Sequence, residues 1–272
     1  MKSSLRAAAL VLVAGTTAAT HGAILQWDAL FSGNASTANN WNPNQRPTAV
    51  DDLRFDSVLN NNYTVTYDSL VPTVRSHQYL GDNVTIRTTF PHSITNTMSI
   101  ESGSEILLDS STLHVGGSTT IGAISGLGGR LTIDQSLFTS QQLHLGAIGP
   151  GDVIVSNAGR LEVSTVTLRR ASSLTLQDSA IAELSSLTIG SIADPNASSV
   201  LVSNGADMSL LGDITMSPVA GSSSVLQILD GPDFHDTRIT AQGDVLIAAI
   251  TASNAFDLAG RWPVHAHQRP VP

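Results

Sequence analysis

No cysteine occurs in the 272 residues, so packing and backbone pairing, rather than disulfides, must hold the chain together. Rings are scarce: Trp, Phe and Tyr make up 4% of the sequence, against 41% hydrophobic residues overall. Any core is therefore mainly aliphatic. Charged side chains reach only 13%, and the sole lysine is Lys2. With 13 Lys and Arg against 22 Asp and Glu the formal net charge is -9, which argues against nucleic acid as a partner. No helical periodicity appears beyond the first two dozen residues, and no apolar run is long enough to span a membrane.

At the start, Lys2 and Arg6 precede the short apolar run from Ala7 to Ala14. That pattern predicts a secretory signal over residues 1–23 and a product that is secreted or displayed on a bacterial cell surface. Loss of Lys2 and Arg6 would take the net charge from -9 to -11.

The middle of the chain is rich in Ser, Thr, Val and Ile, punctuated by Gly, Asn and Asp, as a succession of strands and tight turns requires. It also repeats. Leu131-Thr-Ile-Asp-Gln-Ser, Val153-Ile-Val-Ser-Asn-Ala, Leu174-Thr-Leu-Gln-Asp-Ser and Leu201-Val-Ser-Asn-Gly-Ala are each an apolar alternation closed by an Asp or Asn turn. Asn83, Asp109, Asp134, Asn157, Asp178, Asn204 and Asp230 lie 26, 25, 23, 21, 26 and 26 positions apart. A period in the twenties is one solenoid coil. The fixed Leu frame of leucine-rich repeats is absent, so the expected fold is all-β, a single-chain parallel β-helix with three short strands per coil.

Within the coil from Leu174 to Gly190, the alternation predicts Leu174, Leu176, Ala180, Ala182, Leu184, Leu187 and Ile189 inside, with turns at Gln177-Asp178-Ser179 and Ser185-Ser186. An antiparallel sandwich stays open at this point, because strand signals alone do not fix direction. The repeats are assigned to residues 58–250, preceded by a capping block at 24–57 and followed by an irregular tail at 251–272. The abrupt change of composition in that tail is what truncation or a frame error would produce.

The capping block carries Trp27-Asp, Asn40-Trp41-Asn42-Pro43, Pro47, Asp51-Asp52 and Phe55. An open solenoid end exposes core and unpaired strand, so rings there suggest a plug. This layout resembles exported bacterial β-helix proteins of the autotransporter-associated repeat and PEP-CTERM-sorted type, over most of residues 24 to 250. The resemblance implies architecture and export and no shared reaction. The sorting signal of that type is absent from the sequence ending at Pro272.

β-Helices also cleave polysaccharides, which takes two opposed carboxyl groups or a cation with a basic residue. Asp51-Asp52 is the only adjacent acidic pair, and neighbours in an extended segment point to opposite sides, so a turn or cap is the better reading. The periodic Asp and Asn residues form a calcium ladder only on a different reading from turn formers, and the Gly-rich calcium repeat is missing. His114 and His144 point outward in different phases and cannot share a metal. His265 and His267 are a weak two-ligand pair, and Arg169-Arg170 is a solvated corner. No catalytic residue, metal or cofactor is assigned.

One outward column is regular: Thr120, His144, Thr167, Thr188 and Thr215. Its bland reading is β-branched packing; its functional reading is a row of hydroxyls for a carbohydrate. The expected function is a non-enzymatic structural or adhesive repeat protein. The alternative is a carbohydrate-binding or polysaccharide-degrading β-helix that meets extracellular polysaccharide or other cell-surface components through Trp27, Trp41, Thr120, Thr167, Thr188 and Thr215.

Overall fold

The computed structural model describes residues 22–259 except 30, 58–61, 102, 124–126, 192–193, 217–221, 230–236 and 248–253. The leader, Asp230, the tail beyond residue 259 and its His265 and His267 lie outside the described residues. Strands form two long sheets of 15 and 10 members. Each coil gives one strand to the smaller sheet and a longer, bent stretch to the larger. Ser173–Leu176 belongs to the smaller sheet and Ile181–Ile189 to the larger. Ile181–Ile189 pairs in parallel with Arg160–Leu168 in two segments, Arg160↔Ile181 to Val163↔Leu184 and Thr165↔Ser186 to Leu168↔Ile189. Three strand segments per coil result, and the chain is a parallel β-solenoid. The sandwich is thereby ruled out.

The cause is the alternation of apolar and polar residues in successive coils. Leu174, Leu176, Ala180, Ala182, Leu184, Leu187 and Ile189 are all buried, each 2% exposed or less, as the period of two demands. Val155, Leu176 and Val202 are stacked partners, so each inward side chain packs on its counterparts above and below. Registered core residues Ile86, Leu108, Ile133, Val155, Leu176, Val202 and Ile228 follow one another at 22, 25, 22, 21, 26 and 26 positions. The extra residues sit at corners. Opposite Ser140–Gln142, the Thr112–Ile121 strand carries the pair Gly116-Gly117, which shifts the register between Val115 and Ser118. A Cβ on Gly117 would lie 2.2 Å from the Asn96 carbonyl oxygen, which is why the insertion is glycine.

The turn residues do not form the single column their spacing suggests. Asp109, Asp134 and Ser156 are successive partners. Asn157, Asp178 and Asn204 sit one step later, in the left-handed region with φ of 52°, 55° and 53°. Asn83 belongs to the other end of its strand, opposite Asn62 and Glu105. Asn and Asp suit both positions, since they tolerate left-handed backbone and bond their own turn. Residue type alone therefore cannot tell the two positions apart.

At the N-terminal end Ile24–Trp27 and Asp52–Phe55 are the first rungs of the larger sheet, pairing in parallel with each other and then with Ser76–Leu80. Trp41–Asn42 closes the edge by pairing antiparallel to Ile24–Trp27, the one antiparallel pair among the described residues. Here the core is aromatic: Trp27 meets Trp41 edge-on at 5.0 Å and stacks on Tyr63 at 5.8 Å, and Phe55 stacks on Tyr79 at 4.7 Å. From Ile86 onward the buried hydrophobic side chains are aliphatic or methionine, apart from Phe138.

Candidate functional site

The outward columns are the surfaces a ligand would meet, and the backbone register places them. Ser99, Thr120, His144, Thr167, Thr188 and Thr215 are consecutive partners on the larger sheet. Two residues earlier on the same strands, Ser118, Gln142, Thr165 and Ser186 form a second, parallel column. Thr120, Thr188 and Thr215 are half-buried, and Thr167 is 9% exposed. His144 Nε2 lies 3.2 Å from Gln142 Oε1, which links the two columns, and within the second column the Ser186 hydroxyl donates to Thr165 Oγ1 at 3.4 Å. Burial first, and then Arg169, lowers the His144 pKa below its ordinary value. From Ser118 to Thr188 the strip is hydroxyl, amide and imidazole, with no carboxylate or guanidinium.

The two tryptophans are a correction. Trp27 is 2% exposed and Trp41 fully buried, and Trp41 Nε1 donates to the Ala35 carbonyl at 2.8 Å. A sugar needs an open ring face, and Tyr63, Phe55 and the partner indole cover these. Half of the chain's 12 Trp, Tyr and Phe residues, namely Trp27, Trp41, Phe55, Tyr63, Tyr67 and Tyr79, fill the N-terminal end of the core.

Elsewhere the ionic side chains staple one coil to the next. Arg75 makes a two-point ion pair with Asp52, which also accepts from the Ser76 hydroxyl at 2.6 Å. The Arg75 hydrogen bond holds the Asp52 carboxyl below its ordinary pKa. Arg87 does the same for Asp109 at 2.6 Å. Arg130 reaches Glu105 at 3.2 Å and Asp152 at 3.7 Å, on the coils either side. Asp51, pointing away from Asp52, accepts from Ala23 N at 2.7 Å and from the Thr48 amide at 2.8 Å and hydroxyl at 2.7 Å. The adjacent acidic pair is thus split between a turn and an ion pair. Arg169 donates to the Ser191 hydroxyl at 2.8 Å, and Arg170 is exposed at a left-handed corner.

His114 and His144 stand in separate columns: His114 is opposite Ser93 and Thr139, with Nδ1 2.9 Å from the Thr139 hydroxyl oxygen. Among the described residues no three His, Cys, Asp or Glu side chains converge on a metal position.

Two arrangements escaped sequence reasoning. Glu162 and Glu183 are stacked partners one coil apart, beside a shallow groove where the larger sheet bends. Arg160 lies between them, at 2.8 Å from Glu162 and 2.6 Å from Glu183, so the carboxylates face a guanidinium. The second is a buried pair, His77 and His92, at 1% and 0% exposure. Its signal was present: His77 alternates with Tyr79, and His92 with Ile94, in the inward phase.

Set beside known proteins, the chain matches no protein-family model, no curated protein and no solved structure.

Proposed function

We propose that this chain is a non-enzymatic structural or adhesive repeat protein, exported by a bacterium and akin in type to the autotransporter-associated and PEP-CTERM-sorted repeat proteins. The observation that carries the reading is the division of labour on its surface. Its ion pairs link neighbouring coils, while Ser118, Thr120, Gln142, His144, Thr165, Ser186 and Thr188 line up as an uncharged strip in which Thr167 is buried. Such a rod presents one surface many times, which suits adhesion or assembly rather than turnover.

A second reading rests on the same strip: it offers regularly spaced hydroxyl and amide groups, about 4.8 Å apart along the rod, to a neutral extracellular polysaccharide. Glycan-array binding combined with a reducing-sugar assay separates the readings. Binding without turnover, abolished by Thr120→Arg with Thr188→Arg, supports a polysaccharide partner. Turnover overturns the non-enzymatic proposal, and silence in both assays leaves the structural one.

A further inference from the structure

His77 and His92 lie under the aromatic end of the rod, away from the uncharged strip, and their hydrogen bonds admit one consistent protonation pattern. His92 Nδ1 is 3.0 Å from the Val71 carbonyl oxygen. A carbonyl only accepts, so His92 donates from Nδ1 and keeps a lone pair on Nε2. His92 Nε2 is 3.3 Å from His77 Nε2, so the proton on that contact belongs to His77. His77 Nδ1 must then accept, and the Tyr79 hydroxyl donates to it at 2.8 Å. Both rings are neutral, and Tyr67 stacks on His92 at 3.9 Å.

A further proton is costly here. On His92 Nε2 it would force His77 into its other tautomer, donating from Nδ1 to the Tyr79 oxygen, and leave an imidazolium in the core. On His77 Nδ1 it would turn the Tyr79 hydroxyl away and leave a cation in the core, where an uncompensated charge is costly. Among the described residues no carboxylate acts on either ring. The polar neighbours are Tyr67 from Asn62–Tyr67 and Tyr79 from His77's own strand Ser76–Leu80. Leu53, Met98 and Leu113 are the stacked partners above and below, and Phe55 touches His77 edge-on at 5.6 Å. Tyr63, beyond them, donates to Asp82, and Asp52 and Arg75 pair with each other on the outer side.

We infer that the His77–His92 pair is an acid-operated latch on the N-terminal end of the solenoid. Neutral, it ties Asn62–Tyr67, Ser76–Leu80 and His92–Ile94 together; protonated, it releases the terminal aromatic rungs while the aliphatic rungs beyond stay closed. Burial lowers both imidazoles below their ordinary pKa, His92 to about 4, and the neighbouring His92 adds to the effect on His77. The unfolded segment takes up protons that the folded one refuses, so stability is full above about pH 6.5 and falls as the pH drops towards about 4. For His92 alone the opening equilibrium rises about a hundredfold by pH 4. Asp52 and Asp109, held below the ordinary carboxylate value of 3.8, act only in a more acidic window.

The test uses the full chain carrying Trp262→Phe, which leaves Trp27 and Trp41, both in the cap, as the only indoles. Their emission and hydrogen exchange by mass spectrometry are followed from pH 7.5 to pH 4. The expected result is a red shift with faster exchange in residues 24–101 starting below pH 6.5, while residues 129–189 stay protected. His77→Gln with His92→Gln should abolish that transition above pH 4. Unchanged emission and protection of residues 24–101 in the histidine-containing chain overturn the latch. Simultaneous opening of 129–189, or a double variant that opens at the same pH, also overturns it. The histidine-containing chain decides the matter by itself if the double variant does not fold.

Discussion

Leu176 and Thr175 are neighbours on one strand and face opposite ways, so the same substitution at each should have very different consequences. Leu176 is fully buried between Val155 and Val202. Replacing it with Asp removes most of a leucine side chain from three stacked coils, worth about 2–5 kcal/mol by itself. It also puts a carboxyl group where it must stay protonated at neutral pH, and a pKa raised by 3 units costs about 4 kcal/mol. The sum, about 6 kcal/mol or more, rivals the whole stability of an ordinary domain. Thr175 lies half-buried on the outer face between Ile154 and Leu201. There Asp loses β-propensity and little packing, about 1 kcal/mol. Urea unfolding followed by far-ultraviolet circular dichroism converts these costs into midpoints. With a slope of about 3 kcal/mol/M, Thr175→Asp should unfold about 0.3 M earlier than the unaltered chain. Leu176→Asp should fall by about 2 M or fail to fold. Equal midpoints would refute the assigned alternation.

Three further substitutions probe other parts of the account. Trp41→Ala should cost about 3–5 kcal/mol in thermal or urea unfolding, because the indole is a buried ring in the cap; any glycan binding should persist. Glu101 is 4% exposed and its Oε2 has no hydrogen-bond partner. Glu101→Gln, which keeps the shape and replaces the carboxyl group with a less strongly hydrated amide, should therefore raise stability by about 1 kcal/mol, read as a later unfolding midpoint. Gly146 has φ +79°, and a Cβ there would lie 2.0 Å from the Arg169 carbonyl oxygen. Gly146→Ala should thus lower stability by more than about 1 kcal/mol, read as an earlier thermal transition.

The alternation at Leu174 to Ile189 was readable because side-chain period and burial are tied by the pleat. The outward Thr column followed from it by counting coils. What could not be read is what depends on neighbours distant in sequence. Asn157 and Asp134 look equivalent as turn formers, yet they occupy adjacent positions of the corner, because coil lengths vary from 21 to 26 residues. Trp27 and Trp41 carry no mark that separates an exposed ring from a cap; the edge-on contact between them decides it. Glu162 and Glu183 become partners only when one coil is laid on the next. His77 and His92 were in the inward phase, but imidazoles are ordinarily outside, and only the carbonyl of Val71 and the hydroxyl of Tyr79 show how they are satisfied inside.

The absence of native cysteine allows spin labels to be placed at will, and a distance measured along one column tests the parallel stack directly. Ser99 and Thr215 are five rungs apart through Thr120, His144, Thr167 and Thr188. Cysteines introduced at both and labelled should be separated by about 24 Å in pulsed electron paramagnetic resonance. Moving the first label to Thr120 should shorten the distance to about 19 Å, one rung fewer. A distance that does not contract by one rung spacing between the two pairs would contradict the solenoid.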